Sequence, residues 1–361
     1  MSEAEKFYAL LEKLSNAFGV SGFEEEIREI VIKELEPYAD EVTVDKFGNV
    51  IAVKKGSSNA PKVMWAAHMD EIGFLIRAID DKGFLYIAPV GGWYSVVVAA
   101  QRLRIRLDSG EYIYGVVGMK PPHLLSPEEQ KQAPKLDKLF VDIGARSRKE
   151  AEEMGVRIGL PADLDRELAR LAGNRVTGKA LDDRAGLAVM LWAFRSVEPR
   201  GTLYAVATVQ EEVGLKGARV AAYKLNPDVA IALDVTTAND LPGVGPADQV
   251  ARLGGGPAIK VADGRGMSGL ISHPAVFRLL VDVAEKEGIP YQLEVLTGGT
   301  TDAAAISLTR EGVPAGVISI PARYIHSPVE VIDLEDALNS ARLLAKATES
   351  MTKEWYESIF K

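Results

Sequence analysis

Residues 63–74 read VMWAAHMDEIGF, a short apolar run that leads into a histidine and two acids. Continuous apolar runs of this length suit strands that are buried on both faces, as in a parallel sheet. LYAVATV from Leu203, VAIAL from Val229 and GVISI from Gly316 are runs of the same kind. They predict an α/β fold with a mixed, mostly parallel central sheet flanked by helices.

Ionisable residues follow or close these runs. Five segments show the pattern, and they are AHMDEIGF (67–74), KALDDRAG (179–186), VQEEVGLKG (209–217), ALDVT (232–236) and YIHSP (324–328). Charges at the ends of buried strands are costly unless something compensates them. Open α/β sheets bind ligands beyond the carboxyl ends of their strands. The candidate site residues are His68, Asp70, Asp182, Glu211, Glu212, Asp234 and His326.

Each candidate has an ordinary structural explanation when it is taken singly. A surface turn, a helix cap, an exposed loop or a hydrogen-bonded core histidine would each account for one of them. Together they form the ligand inventory of a two-metal hydrolase, whose metals lie roughly 3.5–4 Å apart. A carboxylate that binds no metal would then take a proton from water. His123 and His273 are expected to be structural or solvent-facing.

Composition narrows the class of protein. A chain of 361 residues with 47% hydrophobic and 26% charged residues predicts a soluble globular protein of two domains. The absence of cysteine excludes disulfides, thiolate metal sites and cysteine nucleophiles. A net charge of −9 gives no support to nucleic-acid binding. No apolar run approaches the roughly 18 residues that cross a bilayer. The charged N-terminus MSEAEKFYALLEKL lacks a signal-peptide core, so we expect a cytoplasmic location.

Between residues 72 and 165 the sequence has a different pattern of apolar and polar residues. LRIRLDSGEYIYGVV, from Leu103, alternates apolar and polar residues around a turn and predicts a half-exposed antiparallel hairpin. MKPPHLLSPEEQKQAPK (119–135) is proline-rich and predicts a long mobile loop. Because candidate ligands stand on both sides, we expect a β domain, residues 72–165, inserted into an α/β domain formed by residues 1–71 and 166–361.

Two helix predictions concern boundaries. Ser21 and Glu24 have the spacing of a capping box, which predicts that a helix begins at Ser21. The apolar periodicity from Leu334 predicts one long helix that reaches about Ile359.

The order and wording of AHMDEIGF, GKALDDRAG, QEEVGLKGA, ALDV and PARYIHSPVE closely resemble the tetrahedral (TET) aminopeptidases. These are the glutamyl and deblocking aminopeptidases, some of them labelled cellulase M. The likeness extends to GVVGMKPPHLL in the insert and GGTTDAAAI near the C-terminus. The resemblance implies a dinuclear zinc exopeptidase fold whose inserted domain is a PDZ-like β barrel that shares in assembly.

The same resemblance implies a metal-binding role for five residues. His68 and Asp234 would bind one metal, Glu212 and His326 would bind the other, and Asp182 would bridge them. The implied cofactors are two divalent ions per subunit, zinc or cobalt.

The resemblance also implies the catalytic groups and the assembly. Glu211 would be the general base, Asp70 would orient His68, and the peptide bond between Asp182 and Asp183 would be cis. The protein would remove N-terminal residues from short peptides and would form a hollow tetrahedral dodecamer.

Two segments leave questions about substrate and assembly. Residues 93–100 (WYSVVVAA) stand where relatives commonly carry a polar Asp–Pro–Arg-like segment. They could line the substrate side or be buried between subunits. Residues 296–301 (LTGGTT) are the candidate lining of the specificity pocket, and their lack of charge favours neutral or small N-terminal residues.

Three other functions are weighed against the aminopeptidase. A glycoside hydrolase also uses paired carboxylates but needs neither the two histidines nor the bridging aspartate. An acyl-amino-acid deacylase could use the same metal chemistry. A non-catalytic peptide-binding assembly could keep the fold, although the complete ligand set argues against it.

Overall fold

The computed structural model describes residues 2–360, which form a mixed eleven-stranded sheet flanked by helices and a closed six-stranded barrel. The sheet strands are β1 (Glu41–Val44), β2 (Val50–Lys55), β3 (Val63–His68), β10 (Ala169–Arg170), β11 (Arg175–Gly178), β12 (Thr202–Thr208), β13 (Val229–Thr237), β14 (Ala258–Ala262), β15 (Gln292–Val295), β16 (Ala315–Arg323) and β17 (Glu330–Asp333). The barrel strands are β4 (Gly73–Ile79), β5 (Leu85–Val90), β6 (Arg102–Arg106), β7 (Tyr112–Gly118), β8 (Phe140–Asp142) and β9 (Pro161–Leu164).

The helices connect and cover these strands. The α-helices are α1 (Glu3–Asn16), α2 (Glu25–Leu35), α3 (Ser95–Val98), α4 (Arg148–Glu153), α5 (Leu181–Ser196), α6 (Lys216–Leu225), α7 (Pro274–Glu287), α8 (Asp302–Ser307), α9 (Leu334–Ser350) and α10 (Lys353–Ser358). Short 3₁₀ helices span Glu36–Tyr38, Pro122–Leu124, Glu129–Lys131, Leu136–Lys138, Pro246–Asp248 and Arg265–Met267.

The centre of the sheet is parallel, as the apolar runs predicted. Strands β12, β3, β13 and β16 lie side by side and run in the same direction. The strand pairs outside this centre are antiparallel, apart from β14 and β15. Thr208 lies opposite His68 in the register of β12 and β3, so these two strands end at the same edge. The expected α/β class with a mixed sheet is therefore confirmed, but the sheet is not mostly parallel, because the strands added on both sides of its centre pair antiparallel.

Helices bury apolar residues against both faces of the sheet. Apolar side chains of α1, α2, α5, α7 and α9 pack on one face, and those of α6 and α8 pack on the other. Trp65 on β3 is fully buried, and its indole N–H donates to the hydroxyl of Thr348 on α9 at 2.9 Å. Burial of this apolar surface is the main stabilising contribution to the fold.

The barrel is made only of antiparallel strand pairs, and all six strands lie between Gly73 and Leu164. The predicted hairpin is present as β6 and β7. Leu103 and Ile105 are buried in the barrel core, while Arg102 is exposed, as the alternation predicted.

Buried charges join the barrel to the α/β domain. The Lys179 ammonium lies 2.7 Å from Glu71 and 2.9 Å from Asp163 on β9. Arg104 on β6 also bonds to Asp163. Buried ion pairs are specific in geometry because an unpaired partner is costly. The network therefore holds the barrel against the segments that carry Asp70 and Asp182.

Both helix-boundary predictions were wrong. Helix α2 begins at Glu25 and has Glu24 as an N-cap without a side-chain cap bond. Ser21 instead donates its hydroxyl to Asp70 Oδ2 at 2.5 Å. Helix α9 ends at Ser350, because Met351 and Thr352 do not have helical backbone angles. The side chain of Thr352 accepts the N–H of Trp355 and caps the separate helix α10. A threonine that caps a new helix competes with continuation of the old one.

Within residues 2–360, no helix is long and apolar enough to cross a membrane. The expected cytoplasmic location stays a prediction.

Candidate active site

The candidate residues are brought together at one edge of the sheet. His68 ends β3, Asp182 opens α5, and Glu211 and Glu212 follow β12. Asp234 lies within β13 rather than at its end, since that strand continues to Thr237. His326 follows β16, and Asp70 follows His68. Contacts among these side chains or their backbones link all of them.

Asp182 lies between the two imidazoles. Its Oδ1 atom is 3.1 Å from His68 Nε2, and its Oδ2 atom is 3.3 Å from His326 Nε2. His326 Nε2 is also 3.3 Å from Glu212 Oε1, and His68 Nε2 is 4.0 Å from Asp234 Oδ1. One carboxylate therefore presents an oxygen to each of two histidine–carboxylate groups.

Asp70 organises the loop that carries the two glutamates. Its carboxylate accepts the backbone N–H groups of Glu211 at 3.0 Å and Glu212 at 3.3 Å, besides the hydroxyl of Ser21. His68 Nδ1 lies 3.0 Å from the backbone oxygen of Asp70 but 3.6 Å from its carboxylate. Both groups of Asp70 therefore face the imidazole, and the backbone carbonyl is nearer.

The backbone bends sharply beside the candidate ligands. Ala180, Gln210 and His326 have φ values of 55°, 54° and 61°, in the left-handed region that non-glycine residues seldom occupy. The peptide bond between Asp182 and Asp183 is cis. Left-handed residues of this kind cluster at functional sites, where surrounding contacts hold them.

The electrostatics of the site are dominated by buried carboxyl groups. Burial raises the pKa of Glu211 and the pKa of Asp234 well above their ordinary values. Burial opposes protonation of the histidines, but the neighbouring carboxylates outweigh it. They raise the pKa of His68 well above its ordinary value and the pKa of His326 to about 11. A cation at this position would relieve the repulsion among the carboxylates.

Two overlapping groups of side chains could hold a metal ion. His68, Asp182 and Glu212 form one group, and His68, Asp183 and Asp234 form the other. The ligand atoms of each group lie within 4.8 Å of one another. Asp183 Oδ2 is buried without a hydrogen-bond partner in the described structure. Imidazole nitrogens and carboxylate oxygens of this kind suit zinc and related divalent ions. The residues present therefore fit a divalent metal ion, but neither group contains His326 and one includes Asp183, so the predicted assignment of ligands stays a prediction.

Two further buried acids, Glu330 and Asp302, lie around the candidate ligands and were not predicted from the sequence. Glu330 is buried and accepts the backbone N–H groups of Asp182 and His326. Burial and the charge of Asp182 raise the pKa of Glu330 to about 8, and bound cations would lower it again. Asp302 accepts the hydroxyl of Thr208 at 2.5 Å, and burial raises its pKa to about 6. The sequence offered one sign of them, since Glu330 lies in the segment PARYIHSPVE and Asp302 lies in GGTTDAAAI.

A cavity of about 200 Å³ opens beside the candidate ligands. Leu296 and residues 298–301 line it, as do Lys260 and Thr236. Lys260 was not foreseen. Its buried ammonium lies 3.3 Å from both Asp263 and Glu294, so two carboxylates offset its charge.

The apolar segment at residues 93–100 begins next to His326. A Cβ on Gly92 would lie 3.1 Å from His326 Nδ1, so glycine permits this close approach. Trp93 stacks on Phe74 and donates its indole N–H to the backbone oxygen of Gly73. The segment therefore belongs partly to the barrel core, while Tyr94 and Val96 are 64% and 46% exposed.

His273 has the structural role that was expected. Its Nδ1 atom accepts the N–H of Ala275 at the N-terminus of α7.

Comparison with known proteins agrees with the fold and the motifs. A family model described as M42 glutamyl aminopeptidase matches residues 48–343. The chain is 44% identical to the lysyl aminopeptidase of Pyrococcus furiosus over 94% of this chain and 96% of that protein. It superposes on an aminopeptidase from the archaeon Desulfurococcus kamchatkensis with a TM-score of 0.97 and 48% identity, covering 100% and 99% of the two chains. The TET1 peptidase of Pyrococcus horikoshii, described as able to assemble into a tetrahedron or a large octahedral shell, superposes with a TM-score of 0.85 and 34% identity over 95% of this chain and 99% of that one. The chain belongs to the M42 glutamyl aminopeptidase family and is an aminopeptidase.

Proposed function

We propose that the protein is a metal-dependent aminopeptidase that removes N-terminal residues from short peptides. The observation that carries this proposal is the position of Asp182, whose two oxygens face the imidazoles of His68 and His326 at 3.1 and 3.3 Å. A carboxylate between two ligand groups could contact both ions of a two-metal hydrolase, whose metals lie roughly 3.5–4 Å apart.

Two zinc or cobalt ions per subunit fit the available donors. His68 and Asp234 would hold one ion, Glu212 and His326 would hold the other, and Asp182 would contact both. When bound, the ions would activate water and polarise the carbonyl of the first peptide bond.

Glu211 is the residue best placed to move protons. The backbone N–H of Glu211 donates to Asp70. The Oε2 atom of Glu211 lies 3.9 Å from His68 Nε2, beyond hydrogen-bond distance. Its carboxylate is therefore free to take a proton from the attacking water and to return it to the leaving amine. Burial raises the pKa of Glu211, and bound cations would lower it again, which favours the ionised form that a base requires.

The variant Glu211→Gln tests this assignment. It keeps the size of the side chain but cannot accept the proton, so turnover should fall to the detection limit while bound metal is retained. Peptidase activity close to that of the wild type would contradict the role of Glu211.

A blocked substrate separates peptidase from deacylase activity. We expect hydrolysis of alanyl-p-nitroanilide and none of its N-acetylated form, because the peptidase requires a free amino terminus. Preferential release of acetate from N-acetylalanine would favour the acyl-amino-acid deacylase instead.

We also propose that neutral or small N-terminal residues are preferred. Gly298, Gly299 and Thr300 add no charge to the cavity lining, and Lys260 has its charge offset by two buried carboxylates. A panel of aminoacyl chromogenic substrates measures this preference directly.

We further propose that residues 72–165 form an inserted domain that takes part in homo-oligomerisation, with a tetrahedral dodecamer as the assembly. The tetrahedron that the Pyrococcus horikoshii TET1 peptidase can form supports this assembly by analogy. Exposed apolar side chains on the barrel and its loops also support this role, and they are Tyr94, Val96, Tyr114, Val116, Met119 and Leu124.

A further inference from the structure

Glu330 connects two segments of the candidate site that are far apart in sequence. It begins β17, pairs with Gly178 on β11, and is 2% exposed. Its Oε2 atom accepts the backbone N–H of Asp182 at 2.9 Å, and its Oε1 atom accepts the backbone N–H of His326 at 2.8 Å. One carboxylate therefore binds the main chain at two candidate metal ligands.

The backbone around Asp182 and around His326 needs stabilising contacts from other parts of the chain. His326 has a φ of 61°, and Ala180, two residues before Asp182, has a φ of 55°. Non-glycine residues occupy this region only when surrounding contacts favour it over the ordinary conformations. A buried carboxylate that accepts two backbone N–H groups supplies such a contact through charge-assisted hydrogen bonds.

We infer that Glu330 is a positioning residue that sets the spacing between Asp182 and His326. This inference rests on the proposed metal-dependent function. It concerns the metal site that Asp182, Glu212 and His326 would form. The distances of 3.3 Å from His326 Nε2 to Asp182 Oδ2 and to Glu212 Oε1 depend on where these backbones are held. Mutation of a group that orients a ligand without binding the metal typically weakens metal binding by about 10–100-fold.

The two acceptor oxygens explain why a carboxylate is required. In Glu330→Gln, one oxygen becomes an NH₂ group that faces a backbone N–H, so one bond is replaced by a donor–donor contact. In Glu330→Asp, the side chain is one methylene shorter and cannot keep both distances. Both variants preserve every candidate metal ligand.

Asp336 offers a matched control for the cost of removing such a group. It is buried on α9 and accepts the backbone N–H groups of Gly254 and Gly256, each at 2.7 Å. Asp336→Asn introduces the same donor–donor contact among residues that carry no candidate ligand. A loss that is common to both variants therefore reflects general destabilisation.

The test is a Co²⁺ titration of the metal-free wild type, Glu330→Gln and Asp336→Asn proteins. Affinity is followed by competition with a chelating dye, and coordination by the visible absorption of Co²⁺. In Glu330→Gln we expect at least one of the two Co²⁺ equivalents to bind about tenfold or more weakly, with a changed spectrum. In Asp336→Asn we expect both equivalents to bind as in the wild type, even if the melting temperature falls. If Glu330→Gln does not fold, Glu330→Asp is titrated in its place.

The outcomes distinguish this inference from the proposed function. Wild-type affinity and spectrum for both equivalents in the Glu330 variant would overturn the positioning role alone. An equal loss of affinity in Glu330→Gln and Asp336→Asn would also overturn it. A wild-type protein that binds no Co²⁺ would overturn the proposed metal-dependent function, and the inference with it.

Discussion

At the scale of single residues, Asp70 links His68, at the end of β3, to the loop that carries Glu211, the proposed general base. Its carboxylate accepts the N–H groups of Glu211 and Glu212 and the hydroxyl of Ser21. A buried carboxylate with several donors keeps its charge and its orientation. The position of Glu211 therefore depends on Asp70 even though the two residues are 141 positions apart.

Ser21→Ala should weaken this arrangement without removing a candidate ligand. We expect about 1 kcal/mol of lost stability from one hydrogen bond and a fall in kcat of about tenfold, with metal content unchanged. Combining it with Asp70→Asn should give less than the product of the two single effects on kcat, because both act on one network. Fully multiplicative effects would show that Ser21 and Asp70 act independently.

We propose that Lys260 sets the charge of the cavity beside the candidate ligands, which it lines. Lys260→Met would leave Asp263 and Glu294 without the cation that now offsets them. The ratio of kcat/KM for lysyl over alanyl substrates should rise by about tenfold, equivalent to ~1.4 kcal/mol in the transition state. The ratio is measured within one protein sample, so partial unfolding does not affect it. An unchanged ratio would show that this charge cluster does not control selectivity.

The meeting of the candidate ligands at one edge of the sheet could be predicted from sequence because most of them follow or close an apolar run. His68 and Glu211 are examples, since a charge after a buried strand is unusual whatever lies around it. Glu330 and Lys260 could not be assigned in this way. Their partners come from distant parts of the chain, and the local pattern around each is ordinary. Ser21 was misassigned because its spacing to Glu24 imitates a capping box.

At the scale of elements, the start of α2 carries a buried acid close to the site. Glu24 is 3% exposed and accepts the N–H of Gly22 at 2.7 Å. Burial raises the pKa of Glu24 to about 7. The folded state therefore binds this proton more tightly than the unfolded state. This contribution to stability is present below about pH 4.5, the ordinary value for glutamate, and is lost as the pH rises through about 7.

Glu24→Gln should remove this pH dependence. Glutamine can still accept the N–H of Gly22 and is never charged, so the variant should be more stable than the wild type at pH 8, by about 1–3 kcal/mol. The difference should shrink towards pH 5. Urea unfolding at the two pH values measures it, with the exposed Glu29→Gln as the control. A variant less stable than the wild type at pH 8 would contradict the assignment.

The kinds of elements were easier to predict than their limits. The runs from Leu203 and Val229 identified central strands because burial on both faces leaves a continuous apolar signal. The end of α9 was missed because its apolar periodicity continues past Ser350. Thr352 begins a new helix through a local cap that the periodicity does not show. Asp234 likewise lies inside β13, where its neighbours in the sheet extend the strand.

At the scale of the whole molecule, the barrel is fixed to the α/β domain by buried charges next to the site. Lys179 contacts Glu71, the neighbour of Asp70, and also Asp163 of the barrel. An insertion could be predicted because candidate ligands stand on both sides of it. This charge network could not be predicted from the sequence, because its members are spread over more than a hundred residues.

Val96→Asp tests the proposed role of the barrel in assembly. A charge on an apolar surface that is buried between subunits would be desolvated without a partner, so the variant should elute as a smaller species. Val220→Asp on α6 is the control, because Val220 is similarly exposed outside the barrel. Light scattering after size exclusion gives the mass of each. An unchanged mass for Val96→Asp would show that this position lies outside the interfaces.

Two metal ions are proposed to serve one aminopeptidase site. The most direct test is aminopeptidase activity of the chelator-treated protein as zinc or cobalt is added back in known equivalents. We expect no hydrolysis without metal and a rise that is complete at two equivalents per chain. Full activity of the metal-free protein, or saturation at one equivalent, would contradict a site that needs two metal ions.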